Sequence, residues 1–229
     1  HNLKPFFLYK NENLYIDKYE FEFILAVRNP SEMLLSEYNQ NVKREGMDIT
    51  YEQFLEKKNY VCTHIKKAKN IVKKFEDHNI KYHLFNYSTN KNEIIELIAK
   101  ILGIYEICRF TNVKNQLINR SLTKDEITLV RFFNKFYGKN YGSIISDRMV
   151  NEIKKDNIKK VPLKIIKNHK YRVEIRKSNK QYINFLNKRL NNLNQLNCTL
   201  KSNSLNESIN LELYKNIFEE VLNFKTRNN

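Results

Sequence analysis

The stretch that decides the fold covers residues 20–41 and reads EFEFILAVRNPSEMLLSEYNQN. Residues 20–27 form a nearly continuous apolar run with aromatic and β-branched members, which is typical of a strand buried on both faces. A helix start follows, because Asn29 suits the N-cap, Pro30 the first helical position and Glu32 the capping-box position. The helix has an apolar stripe that would pack against the sheet, formed by Leu34, Leu35, Tyr38 and Val42. We therefore predict a strand that turns directly into a helix.

Such a strand-to-helix turn presents an edge that can bind an anion. The first amides of the helix are unpaired there and the helix dipole is positive. Arg28 adds charged donors at the turn. Ser36 lies two helical turns beyond Asn29 on the same face, so its hydroxyl can face an anion held by Arg28. This spacing suggests a phosphate clamp, and the alternative is that Arg28 caps a sheet edge while Ser36 is a surface hydroxyl.

The motif formed by residues 28–30 (RNP) and 36–38 (SEY) resembles the 3′-phosphate-binding motif of the sulfotransferases. That motif is R-(N/D)-P with a serine eight residues after the arginine. In the family, this arginine and serine hold the 3′-phosphate of 3′-phosphoadenosine 5′-phosphosulfate (PAPS). The resemblance implies an α/β fold in which a parallel sheet is flanked by helices, the P-loop-kinase-like sulfotransferase fold, and a bacterial enzyme of the glycan or carbohydrate type.

The same resemblance implies an activity. A sulfuryl group would pass from PAPS to a hydroxyl of a glycan or small-molecule acceptor, with adenosine 3′,5′-bisphosphate as the product and no metal. Arg28 and Ser36 would bind the nucleotide. Two alternatives stay open: a related transferase that uses another nucleotide-activated group, and a non-catalytic basic module that binds nucleic acid or acidic polysaccharide.

Two candidate catalytic residues, Lys10 and Glu12, follow the strand predicted at residues 5–9. Ligands gather at the carboxyl ends of parallel strands, so both would lie at the same edge as Arg28. Spacing alone favours an ordinary solvated turn. Sulfotransferases, however, often carry a lysine after this strand and a His or Glu base nearby, so the resemblance implies Glu12 as the base and Lys10 as a cation for the leaving phosphate.

A second candidate anion contact lies in the phrase NRSL at residues 119–122, which resembles a segment of bacterial sulfotransferases that act on glycans. Arg120 and Ser121 precede a helix start whose capping box is formed by Thr123 and Glu126. They could therefore bind an anion at that helix terminus. Simple capping is the alternative.

One family feature is missing from the sequence. Sulfotransferases begin with a strand and a Lys/Gly/Thr/Ser-rich loop that wraps the 5′-phosphosulfate, whereas the four glycines here all lie downstream (Gly46, Gly103, Gly138 and Gly142). We expect that the sequence lacks an amino-terminal portion, because a sheet without its central phosphate-binding strand would expose apolar edges. The alternative is a degenerate member that cannot hold the donor normally.

The bulk properties narrow the class of protein. A formal net charge of +16 (41 Lys and Arg against 25 Asp and Glu) favours anionic partners. The charge is spread along the chain without an aromatic-basic motif, so no nucleic-acid partner is expected. No apolar run approaches the roughly 20 residues that span a bilayer, and no signal-peptide pattern is seen. Three cysteines without C-x-x-C spacing (Cys62, Cys108 and Cys198) suggest a reduced, cytoplasmic protein without a metal site.

The composition changes near residue 151, where a stretch rich in Lys and Ile begins. We therefore expect a sulfotransferase-like α/β core over residues 1–150. A helical region over residues 151–229 would pack on that core or frame the acceptor site. Within it, the periodicity predicts helices at residues 181–196 and 211–224.

Overall fold

The computed structural model describes residues 21–90, 93–108, 122–155 and 169–198, together with Lys215 and Glu219. These residues are mostly helical with a small two-stranded parallel sheet, an architecture compatible with the expected α/β class. Strand β1 (Glu22–Val27) pairs with β2 (Lys81–Asn86) in a register that runs from Glu22 opposite Lys81 to Val27 opposite Asn86. Both strands therefore end at the same edge of the sheet.

Helices connect and flank the two strands. Between the strands lie α1 (Pro30–Arg44), α2 (Tyr51–Lys57) and α3 (Thr63–Asp77). After β2 come α4 (Tyr87–Asn90), α5 (Ile94–Ile101), α6 (Tyr105–Cys108), α7 (Lys124–Tyr137), α8 (Lys139–Lys155), α9 (His169–Asn187) and a 3-10 turn (Asn192–Asn194). The helix predicted at residues 181–196 therefore begins and ends earlier than expected, and α8 runs through position 150, where the sequence suggested a boundary. The helix predicted at residues 211–224 lies largely outside the described residues.

Among the described residues, strand β1 is covered on one face, whereas the sequence predicted a buried strand. Phe23 and Leu25 are partly buried, and the Phe23 ring stacks on Phe75 of α3 at 4.8 Å. The alternate residues Ile24 and Ala26 are exposed, Ile24 by 37%. An apolar run in a sequence does not reveal whether a second layer covers the sheet. In the described part of the chain, helices cover the face that carries Phe23.

Helix α1 buries its predicted stripe. Leu34, Tyr38 and Val42 are each at most 1% exposed, which confirms that part of the prediction. The Tyr38 ring contacts Tyr51 and Phe54 of α2, with centroids 5.2 and 5.5 Å away. Burial of these side chains stabilises the fold by roughly 1.5–3 kcal/mol each. The packing therefore fixes the direction in which α1 leaves the end of β1.

Helix α9 packs beside α3 and enters the same core. Asn179 contacts the start of α3 at Cys62, while Arg189 contacts Glu76 near the end of α3. The contacts advance together along both helices, so α3 and α9 are parallel. Helix α9 contributes three side chains to the core that α1 and α3 also form: Ile175, Ile183 and Leu186.

Candidate functional site

Asn29 occupies the N-cap of α1, as predicted, but its side chain makes no capping hydrogen bond. Its Oδ1 accepts hydrogen bonds from Nδ2 of Asn86 at 3.3 Å and from the backbone N–H of Asn197 at 3.0 Å. Its own backbone N–H donates to Oγ of Ser88 at 3.0 Å. The N-cap position is therefore confirmed, but the capping hydrogen bond does not form because two outside donors occupy the oxygen. Asn29 instead joins the ends of both strands to the segment that follows α9.

Asn86, the last residue of β2, is the second centre of this arrangement and is fully buried. Its Nδ2 also donates to the carbonyl of Gln195 at 3.1 Å, and its Oδ1 accepts from the backbone N–H of Ser88 at 3.0 Å. Buried amides of this kind are costly unless every donor and acceptor is paired. We call the set Asn29, Glu32, Asn86, Ser88 and Asn197 the strand-end network.

Arg28 lies at the joint between β1 and α1 and is held on two sides. Its Nε donates to Oε2 of Glu32 at 3.2 Å, and its guanidinium carbon lies 5.7 Å from the centroid of the Tyr87 ring. Glu32 also accepts a hydrogen bond from Oγ of Ser88 at 2.9 Å, so it does not complete the predicted capping box. The side chain of Arg28 remains 32% exposed. The guanidinium is thus both oriented and accessible.

Ser36 lies one helical turn after Glu32 and is half-buried. Residues four apart on a helix share a face, so Glu32 and Ser36 lie on the same side of α1. Arg28 precedes the helix and contacts Glu32. Arg28 and Ser36 are both partly exposed, and an anion that takes Nε of Arg28 would compete with the Glu32 carboxylate.

The other four predicted site residues, Lys10, Glu12, Arg120 and Ser121, lie outside the described residues. The capping box expected after Arg120 and Ser121 is confirmed, because Oγ1 of Thr123 accepts from the N–H of Glu126 while the Glu126 carboxylate accepts from the N–H of Thr123.

The segment after α9 was not predicted to reach the site. The Asn194 Oδ1 accepts from Oγ1 of Thr89 at 3.0 Å and from Nδ2 of Asn90 at 2.7 Å. Asn197, the next residue but two, is part of the network. The described range ends at Cys198, directly after Asn197, and the Cys198 carbonyl accepts from Oγ of Ser31 at 3.1 Å. The polar run NYSTN at residues 86–90, placed directly after an apolar strand, was the signal that could have indicated this contact.

Cys62 and Cys198 are buried free thiols. Burial raises the pKa of Cys198 to about 11, so its thiol is neutral near pH 7 and a weak nucleophile.

Across the described ranges, no group of three or more His, Cys, Asp or Glu side chains is arranged to hold a metal ion. No helix in those same ranges combines the length and the apolar character needed to cross a membrane.

A scan against models of known protein families, a search of curated proteins and a search of solved structures each find no match to this chain. The functional assignment therefore depends on the residues of the site.

Proposed function

We propose that this protein is a sulfotransferase of the P-loop-kinase-like fold. It would transfer the sulfuryl group of PAPS to a hydroxyl of a glycan or small-molecule acceptor. The observation that carries the proposal is the position of Arg28, a partly exposed guanidinium directly after a parallel strand and directly before a helix. Helix N-termini favour phosphate groups, and an arginine fork adds charge-assisted hydrogen bonds to them.

The residues of the site would have separate roles in the sulfuryl transfer. PAPS, when bound, supplies the activated sulfuryl group. Arg28 and Ser36, which are both partly exposed, would hold its 3′-phosphate. Glu12 would accept the proton of the acceptor hydroxyl while the hydroxyl oxygen forms its bond to sulfur. Lys10 would neutralise the phosphate oxygen that is released when the S–O bond of PAPS breaks. Further anion contacts would come from residues 120–121.

The strand-end network supports this proposal because it offers Glu32 a second partner. A phosphate that takes Nε of Arg28 as a donor replaces its contact with the Glu32 carboxylate. Oγ of Ser88 already donates to the same carboxylate oxygen at 2.9 Å. The carboxylate therefore keeps a hydrogen bond when Arg28 turns to a ligand, which lowers the cost of the exchange.

The proposal is tested by binding of adenosine 3′,5′-bisphosphate to the Arg28→Ala variant in isothermal titration calorimetry. Loss of an arginine–phosphate contact should weaken binding by roughly 1.5–3 kcal/mol, or about 10- to 150-fold. Arg131→Ala is the matched control, because this partly exposed arginine on α7 donates to the Asp48 carbonyl instead. Adenosine 5′-monophosphate, which lacks the 3′-phosphate, should bind wild type and Arg28→Ala equally. Absence of binding to the wild type, or equal affinity in both arginine variants, would overturn the proposal.

A second prediction concerns the competing carboxylate. The Glu32→Gln variant keeps an oxygen that can accept from Arg28 and Ser88 but removes the negative charge beside the phosphate site. We therefore expect adenosine 3′,5′-bisphosphate to bind roughly three- to fivefold more tightly, with the gain shrinking as salt rises. The same titration measures it, with Glu52→Gln on α2 as the control. Weaker binding in Glu32→Gln would show that the carboxylate charge is needed to orient Arg28.

A further inference from the structure

A row of lysines lies on α3 beside α9. The Nζ of Lys69 is 5.6 Å from the ring centroids of both Tyr182 and Phe185 of α9. Lys66 and Lys73 lie about one turn before and after Lys69 on the same stripe of α3. Both of these flanking lysines are exposed. The row is therefore anchored at its centre and accessible at its ends.

Helix α9 extends this positive surface. Lys177 lies on α9 and Lys188 directly follows its last residue, Asn187, and both lysines are exposed. Between them, the Phe185 ring is covered by the guanidinium of Arg189 at 3.5 Å. The lysines of α3 extend over about 10 Å. We call Lys66, Lys69, Lys73, Lys177 and Lys188 the α3–α9 ridge.

The ammonium groups of the α3–α9 ridge are available to bind an anion. Among the residues that the structure describes, none of its five lysines takes part in an ion pair. The acidic residues on the same two helices are Glu76, Asp77 and Glu174, and Glu76 is already bound by both arms of Arg189 at 2.5 and 2.7 Å. Parallel helices with unpaired ammonium groups create a positive field that attracts a polyanion.

We propose that the α3–α9 ridge docks a linear acidic polysaccharide. Single-stranded nucleic acid requires open aromatic faces for base stacking, but Lys69 lies over Tyr182 and both Lys69 and Arg189 lie over Phe185. Membrane binding is strengthened by apolar side chains beside the charges, whereas the exposed residues Gln181 and Asn184 lie between Lys177 and Lys188. The ammonium groups of lysines act as point charges that attract the carboxylates and sulfates of a polysaccharide.

The proposal does not depend on the proposed sulfotransferase activity, because it uses none of the residues of that site. Its test compares two full-length variants of equal charge. The ridge variant carries Lys→Gln at four positions (Lys66, Lys73, Lys177 and Lys188), and Lys69 is kept because it packs on the aromatic rings. The control carries Lys→Gln at four exposed lysines elsewhere (Lys57, Lys100, Lys124 and Lys135). A heparin-derived dodecasaccharide is the probe, with binding measured at several salt concentrations.

We expect the ridge variant to bind the dodecasaccharide about 30-fold more weakly at low salt, and the control variant to stay within about twofold of the wild type. Lys→Arg at the four ridge positions should retain the affinity, which separates loss of charge from loss of folding. Equal losses in the two Gln variants would overturn the proposal, as would no binding by the wild type. Tighter, ridge-dependent binding of a 12-base-pair DNA duplex or of phosphatidylserine vesicles would also overturn it and assign the surface to nucleic acid or membrane.

Discussion

Replacing Asn179 by alanine is expected to lower the free energy of unfolding by roughly 3 kcal/mol. Asn179 is fully buried and ties α9 to the turn between α2 and α3. Its Oδ1 accepts from the N–H of Cys62 at 2.8 Å, and its Nδ2 donates to the carbonyls of Tyr60 at 2.8 Å and Ile175 at 2.7 Å. The substitution leaves the Cys62 N–H and the Tyr60 carbonyl without these partners in a packed interior, where unpaired polar groups are costly.

The backbone at this turn adds to the expected effect. Asn59 and Tyr60 have φ values of +47° and +58°, a left-handed conformation that non-glycine residues rarely adopt. Such a turn persists only where its surroundings hold it, and the Asn179 amide binds one of its carbonyls. We therefore expect the loss of Asn179 to loosen the α2–α3 turn as well as α9.

Equilibrium unfolding in urea measures this change, with Asn184→Ala as the matched control. Asn184 is an exposed asparagine on the same helix, so its replacement should change the free energy of unfolding by at most about 0.5 kcal/mol. If Asn179→Ala costs less than about 1 kcal/mol at an unchanged m-value, the Asn179 hydrogen bonds do not hold α9 in place.

The second large effect is expected for Asn86→Ala, which should cost roughly 2–3 kcal/mol and release the segment after α9 from the strand ends. The variant loses the donor to the Gln195 carbonyl and to Oδ1 of Asn29, and the acceptor for the N–H of Ser88. Ser88 orients Glu32, which in turn contacts Arg28, so the disturbance reaches the proposed phosphate site.

Hydrogen exchange at single amides can measure the release of the segment after α9 locally. In Asn86→Ala, the amide of Asn197 should exchange faster than in the wild type, because its acceptor Oδ1 of Asn29 is no longer held in place. A double-mutant cycle with Asn29→Ala should show a coupling energy of at least about 0.5 kcal/mol, since the two amides are hydrogen-bonded. Additive losses, together with unchanged exchange at Asn197, would show that the two side chains act independently.

The sequence by itself determined those features that depend on residues close together in the chain. The capping box at Thr123 forms as predicted, and Thr50 forms one in the same way, because each needs only a partner three residues away. The buried face of α3 has the same local origin, since a period of 3.6 residues places its members on one side: Ile65, Ala68, Val72 and Phe75. Strand β2 also coincides with a local pattern, the alternating run IKYHLFNY at residues 80–87.

Only the tertiary structure decided which partners the site residues would take. Asn29 and Glu32 satisfy every local rule for an N-cap and a capping box, yet their side chains bind residues 56 to 168 positions away. Asn86 and Ser88 reach them because β2 pairs with β1, and Asn197 reaches Asn29 because the packing of α9 brings the following segment across the strand ends. The covered face of β1 is set by its contact with α3. A capping preference of about 1 kcal/mol is small enough for such non-local hydrogen bonds to override.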